Sequence, residues 1–165
     1  MQIKIYTMGG TIDKIYFDKK NNYHVGSSIS GDILREASVA FSYDVESIIA
    51  KDSLDMTDED RSLLISKISK DKCDRILITH GTDTMVATAK ILKEEIKNKV
   101  IVLTGSMIPA RFKSSDAVFN IAFALAAVQI LGNGIYIAMN GTIFLPNNVR
   151  KNVELSRFEK INEKI

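Results

Sequence analysis

The sequence predicts an α/β protein: a three-layer α/β/α domain around a mostly parallel, twisted sheet. Three observations predict it. Short β-branched runs alternate with longer runs of helical spacing, 165 residues with 45% apolar content suit one core of ordinary size, and three of the strand-like runs end in turns of glycine and hydroxyl residues. Strands are expected at 3–7 (IKIYT), 45–50 (VESIIA), 75–79 (RILIT), 100–104 (VIVLT) and 135–139 (IYIAM). Such an order fits a Rossmann-like or flavodoxin-like sheet.

Three helices are expected between these strands. The run at 57–70 opens with Thr57 and Asp60 in capping-box spacing and then places Leu64, Ile65 and Ile68 along one face, as a surface helix requires. The run at 83–97 carries Met85, Ala89, Ile91, Leu92 and Ile96. The run at 114–131 is apolar almost all round and therefore expected to be buried; its alanines would let either the sheet or a second subunit cover it. Residues 13–30 (DKIYFDKKNNYHVGSSIS) read as a mobile loop ahead of a short helix, with Tyr16, Phe17 and Tyr23 able to close over a ligand. The tail after Asn148 is charged and weakly amphipathic. With no repeat, Pro-rich linker or low-complexity tract, residues 1–165 read as a single domain.

Composition narrows the function classes. The 22 basic and 20 acidic residues are mixed along the chain for a net charge of +2, so no basic stripe points to nucleic acid or an anionic membrane. Cys73, the single cysteine, allows no internal disulfide and no cysteine cluster for zinc, which fits a reducing cytoplasm. The amino-terminal MQIKIYTMGG is interrupted too early for a signal peptide, and the apolar run at 117–131 is too short to span a bilayer, so a soluble protein is expected.

The chemistry is concentrated in the turns. MGGT follows the first strand, HGTDT the third and TGSM the fourth. In an open parallel sheet, ligands bind beyond the carboxyl ends of the strands, where these loops converge. Each loop couples a glycine, which admits close backbone approach, to hydroxyls and main-chain N–H groups able to hold an anion or a developing oxyanion. Taken singly, Thr82 or Asp83 need only cap the following helix, and Gly9-Gly10 need only make a tight turn. Neither a G-x-G-x-x-G pattern nor a G-x-x-x-x-G-K-[ST] loop is present, which counts against nucleotide chemistry. His80 has only His24 for company and no acidic cluster at metal-like spacing, so it reads as a hydrogen-bonded structural residue, with no metal and no cofactor expected. Met8, Met56, Met85 and Met107 read as fillers around the cradle.

In combination the motifs are more specific. TMGGTI, DSLDMTD, THGTDTM, VLTGSMIP, SSDAVFN and the lysine of VRKN occur in this order, and the series resembles the amino-terminal domain of bacterial-type L-asparaginases over nearly the whole chain, to about Phe158. That resemblance implies hydrolysis of the side-chain amide of asparagine to aspartate and ammonia, with glutamine also accepted by some members. It implies Thr11 as nucleophile, Tyr23 as the lid-loop tyrosine, Thr82 and Asp83 as the second threonine and its aspartate, and Lys151 as the buried lysine. It also implies Ser53 on the substrate carboxylate, Ser106 in the loop contacting the amide, and Gly10, Leu54 and Gly81 within the substrate site. Spacing alone does not distinguish Thr11 from Thr82 as nucleophile.

The physical logic stands beside the name. A threonine hydroxyl is a poor nucleophile at neutral pH and needs a base. Lys151, held by Asp83 and with its proton affinity lowered by burial, would accept a proton through Thr82 or a water. N–H groups near Gly10, Thr11, Thr82 or Ser106 would meet the oxyanion.

The chain departs from the family pattern in three places. Asp13 and Lys14 follow GGTI where a small residue is usual, and Leu54 stands where many members have a polar side chain. The two-domain members continue into a carboxyl-terminal domain that contributes an acidic residue to a neighbouring pocket, and this sequence stops where that domain would begin. Two forms are compatible with this: a short amidohydrolase assembling its site from at least two copies, or an inactive remnant. Two further readings are a noncatalytic binding module for aspartate- or asparagine-like metabolites, and a noncatalytic oligomerisation partner using the helix at 117–131. The amidohydrolase reading is favoured.

Overall fold

The computed structural model describes residues 1–17 and 22–161, without the side chains of Tyr16, Phe17, Asn22 and Tyr23. All five expected strands form. In chain order the elements are β1 (Gln2–Gly9), β2 (Lys14–Phe17), β3 (Asn22–Val25), α1 (Ser30–Glu36), β4 (Ser42–Lys51), α2 (Asp58–Lys70), β5 (Arg75–Thr79), α3 (Met85–Glu95), β6 (Val100–Thr104), α4 (Ala117–Ile130), β7 (Gly134–Met139), β8 (Thr142–Phe144), β9 (Arg150–Asn152) and β10 (Arg157–Glu159). Among the described residues the main sheet has the order β4-β1-β5-β6-β7-β8, parallel except for β8.

Register explains the layers. Tyr6, Ile78, Leu103 and Ile137 stand in line across β1, β5, β6 and β7, and one residue earlier Ile5, Leu77, Val102 and Tyr136 stand in line on the other face. Successive side chains alternate between faces, so the apolar runs serve two cores. One core joins the Tyr6 row to Leu64, Ile68, Met85 and Leu92 of α2 and α3; the other joins the Ile5 row to Leu34 of α1 and Ala117, Ile121, Ala124 and Val128 of α4. Each fully buried aliphatic contributes about 1.5–3 kcal/mol. The three-layer architecture follows.

The local signals are met unevenly. Thr57 and Asp60 form the expected capping box on α2, each side chain accepting from the other's backbone N–H. Helix α3 starts at Met85 with Thr84 at its cap, so neither Thr82 nor Asp83 is the cap residue. Helix α4 is buried only along Ala117, Asn120, Ile121, Ala124, Leu125, Ala127 and Val128, whereas Val118, Phe119 and Ile130 are exposed. The expectation of burial all round is therefore corrected: a helix lying on one face of a sheet hides one stripe, however apolar the rest.

Two hairpins replace segments expected to be irregular. Residues 14–17 and 22–25 pair antiparallel as β2 and β3, with Tyr16 opposite Tyr23, so the 13–30 segment is a hairpin at its base, not a plain loop; positions 18–21 and the Tyr23 side chain lie outside the described residues. The charged tail folds into β9 and β10. Its alternation is hidden by polar residues, and only Val149 and Phe158, 2% and 3% exposed, reveal an apolar side. Strand β8 had a legible signal: Asn140 and Gly141, at φ 52° and 72°, make the two-residue turn that Asn-Gly favours.

Candidate active site

The sheet order places the switch point between β1 and β5. The connection from β1 runs outward to β4 on one side, and the chain then returns across β1 to β5 and continues away from it. A crevice opens at such a point beyond the strand ends. The loops after β1 and β5 carry Thr11 and Thr82.

Glycines draw these loops together. A Cβ on Gly10 would sit 2.3 Å from Gly81 Cα, and one on Gly81 would sit 2.5 Å from Ser53 Cβ. Gly10 also has φ 90°, which an L side chain rarely adopts. Gly10 thus lets the Thr11, Thr82 and Ser53 segments meet. Its own N–H donates to the Lys51 carbonyl at 2.9 Å, so that donor is already engaged and is not an oxyanion ligand. Behind them, a Cβ on Gly105 would sit 2.3 Å from the His80 carbonyl oxygen, and Ala110 N–H donates to the Ile12 carbonyl at 3.1 Å, which brings in the loop after β6.

Lys151 completes the set from 68 residues away in sequence. Its Nζ donates to Thr82 Oγ1 at 2.8 Å and to Asp83 Oδ1 at 2.7 Å. The Lys151 side chain is 20% exposed and that of Asp83 37%, so the lysine is half-sheltered, less buried than expected. Strand β9 delivers it there: Phe158 lies directly opposite Lys151 in the hairpin, is buried in the α2–α3 core, and its N–H donates to Asn140 Oδ1 at 2.9 Å.

The other expected site residues divide. Thr11 is half-buried, in the 3-10 turn that follows Gly10. Thr82 and Ser53 are buried, at 2% and 1% exposure, and the Ser53 carbonyl accepts from Thr84 Oγ1 at 2.9 Å. Ser106 is fully buried and donates to the Ile108 carbonyl at 2.6 Å. Leu54 is 74% exposed. The Tyr23 side chain lies outside the described residues.

His80 is a structural histidine, as its isolation in the sequence suggests. A carbonyl can only accept, so Nδ1–H donates to Gly81 O at 2.8 Å, and Nε2 accepts from Thr88 Oγ1 at 2.9 Å. Burial lowers its pKa to about 4, with the Arg61 charge acting the same way and the Gly81 carbonyl opposing them. The ring is neutral and holds the 80–82 turn to α3.

Sequence reasoning missed Asp116 and Asn120. The Asp116 carboxylate accepts from Met107 N–H at 3.0 Å and Ile108 N–H at 3.1 Å. Asn120, fully buried, donates to Asp116 Oδ2 at 2.8 Å and to Gly105 O at 3.0 Å, while its Oδ1 accepts from Asn140 N–H at 3.1 Å. They shape the loop holding Ser106. The SSDAVFN motif contains both, but which backbone groups they would reach is decided only by packing. Among the described residues no cluster of three His, Cys, Asp or Glu is arranged to hold a metal ion, and no helix is long and apolar enough to cross a membrane.

Asp13 and Lys14, the two departures after GGTI, both have partners. Asp13 is 4% exposed and its Oδ1 accepts from Ile29 N–H at 2.9 Å. Burial pushes its carboxyl up to about 6, against the Ile29 N–H, the Ser28 hydroxyl and the Arg111 charge. Lys14 Nζ pairs with Asp52 Oδ2 at 2.5 Å.

The model of the family described as Asparaginase, N-terminal, matches residues 2–164. The chain belongs to the asparaginase family. Among relatives of this asparaginase-family chain, the probable periplasmic L-asparaginase of Haemophilus influenzae is 34% identical over 161 residues, covering 90% of this chain and 46% of that protein. L-asparaginase 2 of Escherichia coli is 35% identical over 125 residues, covering 71% and 36% respectively. The structure of the thermostable L-asparaginase from Thermococcus kodakarensis superposes with a TM-score of 0.85 at 31% identity, covering 99% of this chain and 52% of that one. The asparaginase-family chain thus spans about half of that solved structure and less than half of each of the two sequences.

Proposed function

We propose that this chain carries the threonine, aspartate and lysine of an L-asparagine amidohydrolase, with L-glutamine as a lesser substrate. The observation that carries the reading is Lys151 Nζ within hydrogen-bond distance of both Thr82 Oγ1 and Asp83 Oδ1 at the switch point. Proteins named L-asparaginase and glutaminase-asparaginase are among its relatives.

In this reading Thr11 Oγ1 attacks the side-chain amide carbon. Its proton passes, directly or through a water, to Thr82, whose own proton goes to Lys151 Nζ in its neutral amine form; the ammonium so formed pairs with Asp83, which also orients the amine for the transfer. The C–O bond forms as the carbonyl π pair moves onto oxygen, where loop N–H groups at Thr11, Thr82 or Ser106 can meet the charge. Collapse expels ammonia, protonated by the same relay, and leaves an ester on Thr11. Water then adds to the ester, and aspartate departs as Thr11 regains its proton. Ser53 holds the substrate carboxylate, and Gly10 and Gly81 admit it close to the backbone. The 13–30 hairpin with Tyr23 acts as the lid. Leu54, being outward, removes the polar contact many members offer the substrate, which predicts weaker or broader amino-acid selection.

The test is ammonia release from asparagine and from glutamine by the purified protein, with Thr11→Ala as control. Release by wild type that is lost in the variant supports the reading; equal release by both rejects it. Binding of asparagine by calorimetry without ammonia would favour the noncatalytic binding module instead. The same proposal places the protein in the cytoplasm as at least a dimer, with the exposed Val118 and Phe119 of α4 as the contact; sedimentation as a monomer would remove that part.

A further inference from the structure

The hairpin is fastened on both sides. On the β3 side, Asp13 holds the segment just after the strand twice: its carbonyl accepts from Gly26 N–H at 2.9 Å and its carboxylate from Ile29 N–H at 2.9 Å. On the β2 side, Lys14 reaches across a groove of about 590 Å³ whose walls are the hairpin (Lys14, His24, Val25) and the Ser53 turn (Asp52, Leu54). The contact is the 2.5 Å pair to Asp52, and the Asp52 side chain in turn accepts from Leu54 N–H at 3.1 Å, capping the 3-10 turn that contains Ser53. Asp13, the last residue of the Thr11 turn, therefore ties the start of β2 to the segment that leaves β3, and Lys14 ties β2 to the candidate substrate turn. Both links lie within one chain. Asp13 is buried against the stem, and the Lys14 and Asp52 side chains are only 26% and 28% exposed, so the links are sheltered from the screening that weakens surface pairs.

We propose that Asp13 and Lys14 are positioning residues that fix the β2–β3 stem, Asp13 to the segment after β3 and Lys14 against the Ser53 turn, and thereby set the concentration of substrate needed to fill the site. The inference rests on the amidohydrolase reading. Neither side chain touches reacting atoms; each acts through the hairpin and through Ser53. The clamp holds the stem and the Ser53 turn in place before substrate arrives, so less ordering of these two segments is left to binding, which appears in KM before it appears in kcat.

The experiment compares wild type with Asp13→Ala, Asp13→Asn, Lys14→Ala and Lys14→Arg. It measures KM and kcat for asparagine, thermal unfolding, and hydrogen–deuterium exchange across 14–29. Expected are a KM raised at least fivefold in Asp13→Ala and Lys14→Ala with kcat within about twofold, faster exchange in 14–29, and recovery of both in Asp13→Asn, whose amide oxygen still accepts from Ile29, and in Lys14→Arg, which keeps the charge beside Asp52. Unchanged KM and exchange in Asp13→Ala and Lys14→Ala would overturn the proposal. So would a lower unfolding temperature in Asp13→Ala with kcat falling and KM unchanged, since a merely structural role would give that result. Wild type that releases no ammonia rejects the amidohydrolase reading instead, and exchange in 14–29 alone then decides the clamp.

Discussion

Lys151 Nζ stands 2.8 Å from Thr82 Oγ1 and 2.7 Å from Asp83 Oδ1, although 68 residues separate the lysine from the aspartate. The geometry separates activity from stability. Replacing Lys151 by Met is expected to lower kcat by about 10²–10⁴-fold, the range for loss of a proton-transfer partner. The same change should cost no more than about 1 kcal/mol, because water can reach the Asp83 carboxylate left behind. Ammonia assays beside urea unfolding check both numbers.

Gly10→Ala should be destabilising by about 2 kcal/mol or more, since the new methyl would meet Gly81 backbone at 2.3 Å and the residue would be held at φ 90°. Activity should fall further than stability, because the collision pushes the Thr11 and Thr82 turns apart. A folded Gly10→Ala variant with wild-type activity would show that the two turns need not touch.

Asn120→Ala removes hydrogen bonds to Gly105 O, Asp116 Oδ2 and Asn140 N–H from a fully buried position. A loss of about 2–3 kcal/mol is expected from stranding those groups. Denaturant titration measures it, and a cost below about 0.5 kcal/mol would mean that water replaces the side chain.

His80 governs acid stability. Its folded pKa of about 4 lies below the ordinary 6.5, so the native state resists a proton that the unfolded chain takes up. Its contribution is present above pH 6.5 and is lost as pH falls toward about 4, amounting to about 3 kcal/mol across that window. Asp13 has the opposite sign: its contribution is present below the ordinary 3.8 and lost as pH rises through about 6. The comparison is therefore between wild type and His80→Gln, whose unfolding free energy should fall less steeply from pH 6.5 to 4. Parallel curves would show that His80 is not the group responsible.

The parts of this protein that the sequence determined are those with local or periodic causes. Short β-branched apolar runs specify the five parallel strands, and Thr57 and Asp60 specify the start of α2, because both signals act between near neighbours. The order of glycine and hydroxyl turns pointed to where the candidate site lies, since strand ends in a parallel sheet share one edge. Asn140-Gly141 was equally local, and it announces β8. Tertiary structure decided the rest. Nothing near Lys151 in sequence says that Phe158 and Val149 will seat its hairpin in the α2–α3 core. Nothing near Asp116 says which N–H groups it will hold, and nothing in α4 says which of its apolar sides meets the sheet. A side chain's partner across tens of residues is fixed by how layers pack, and packing is a property of the whole chain.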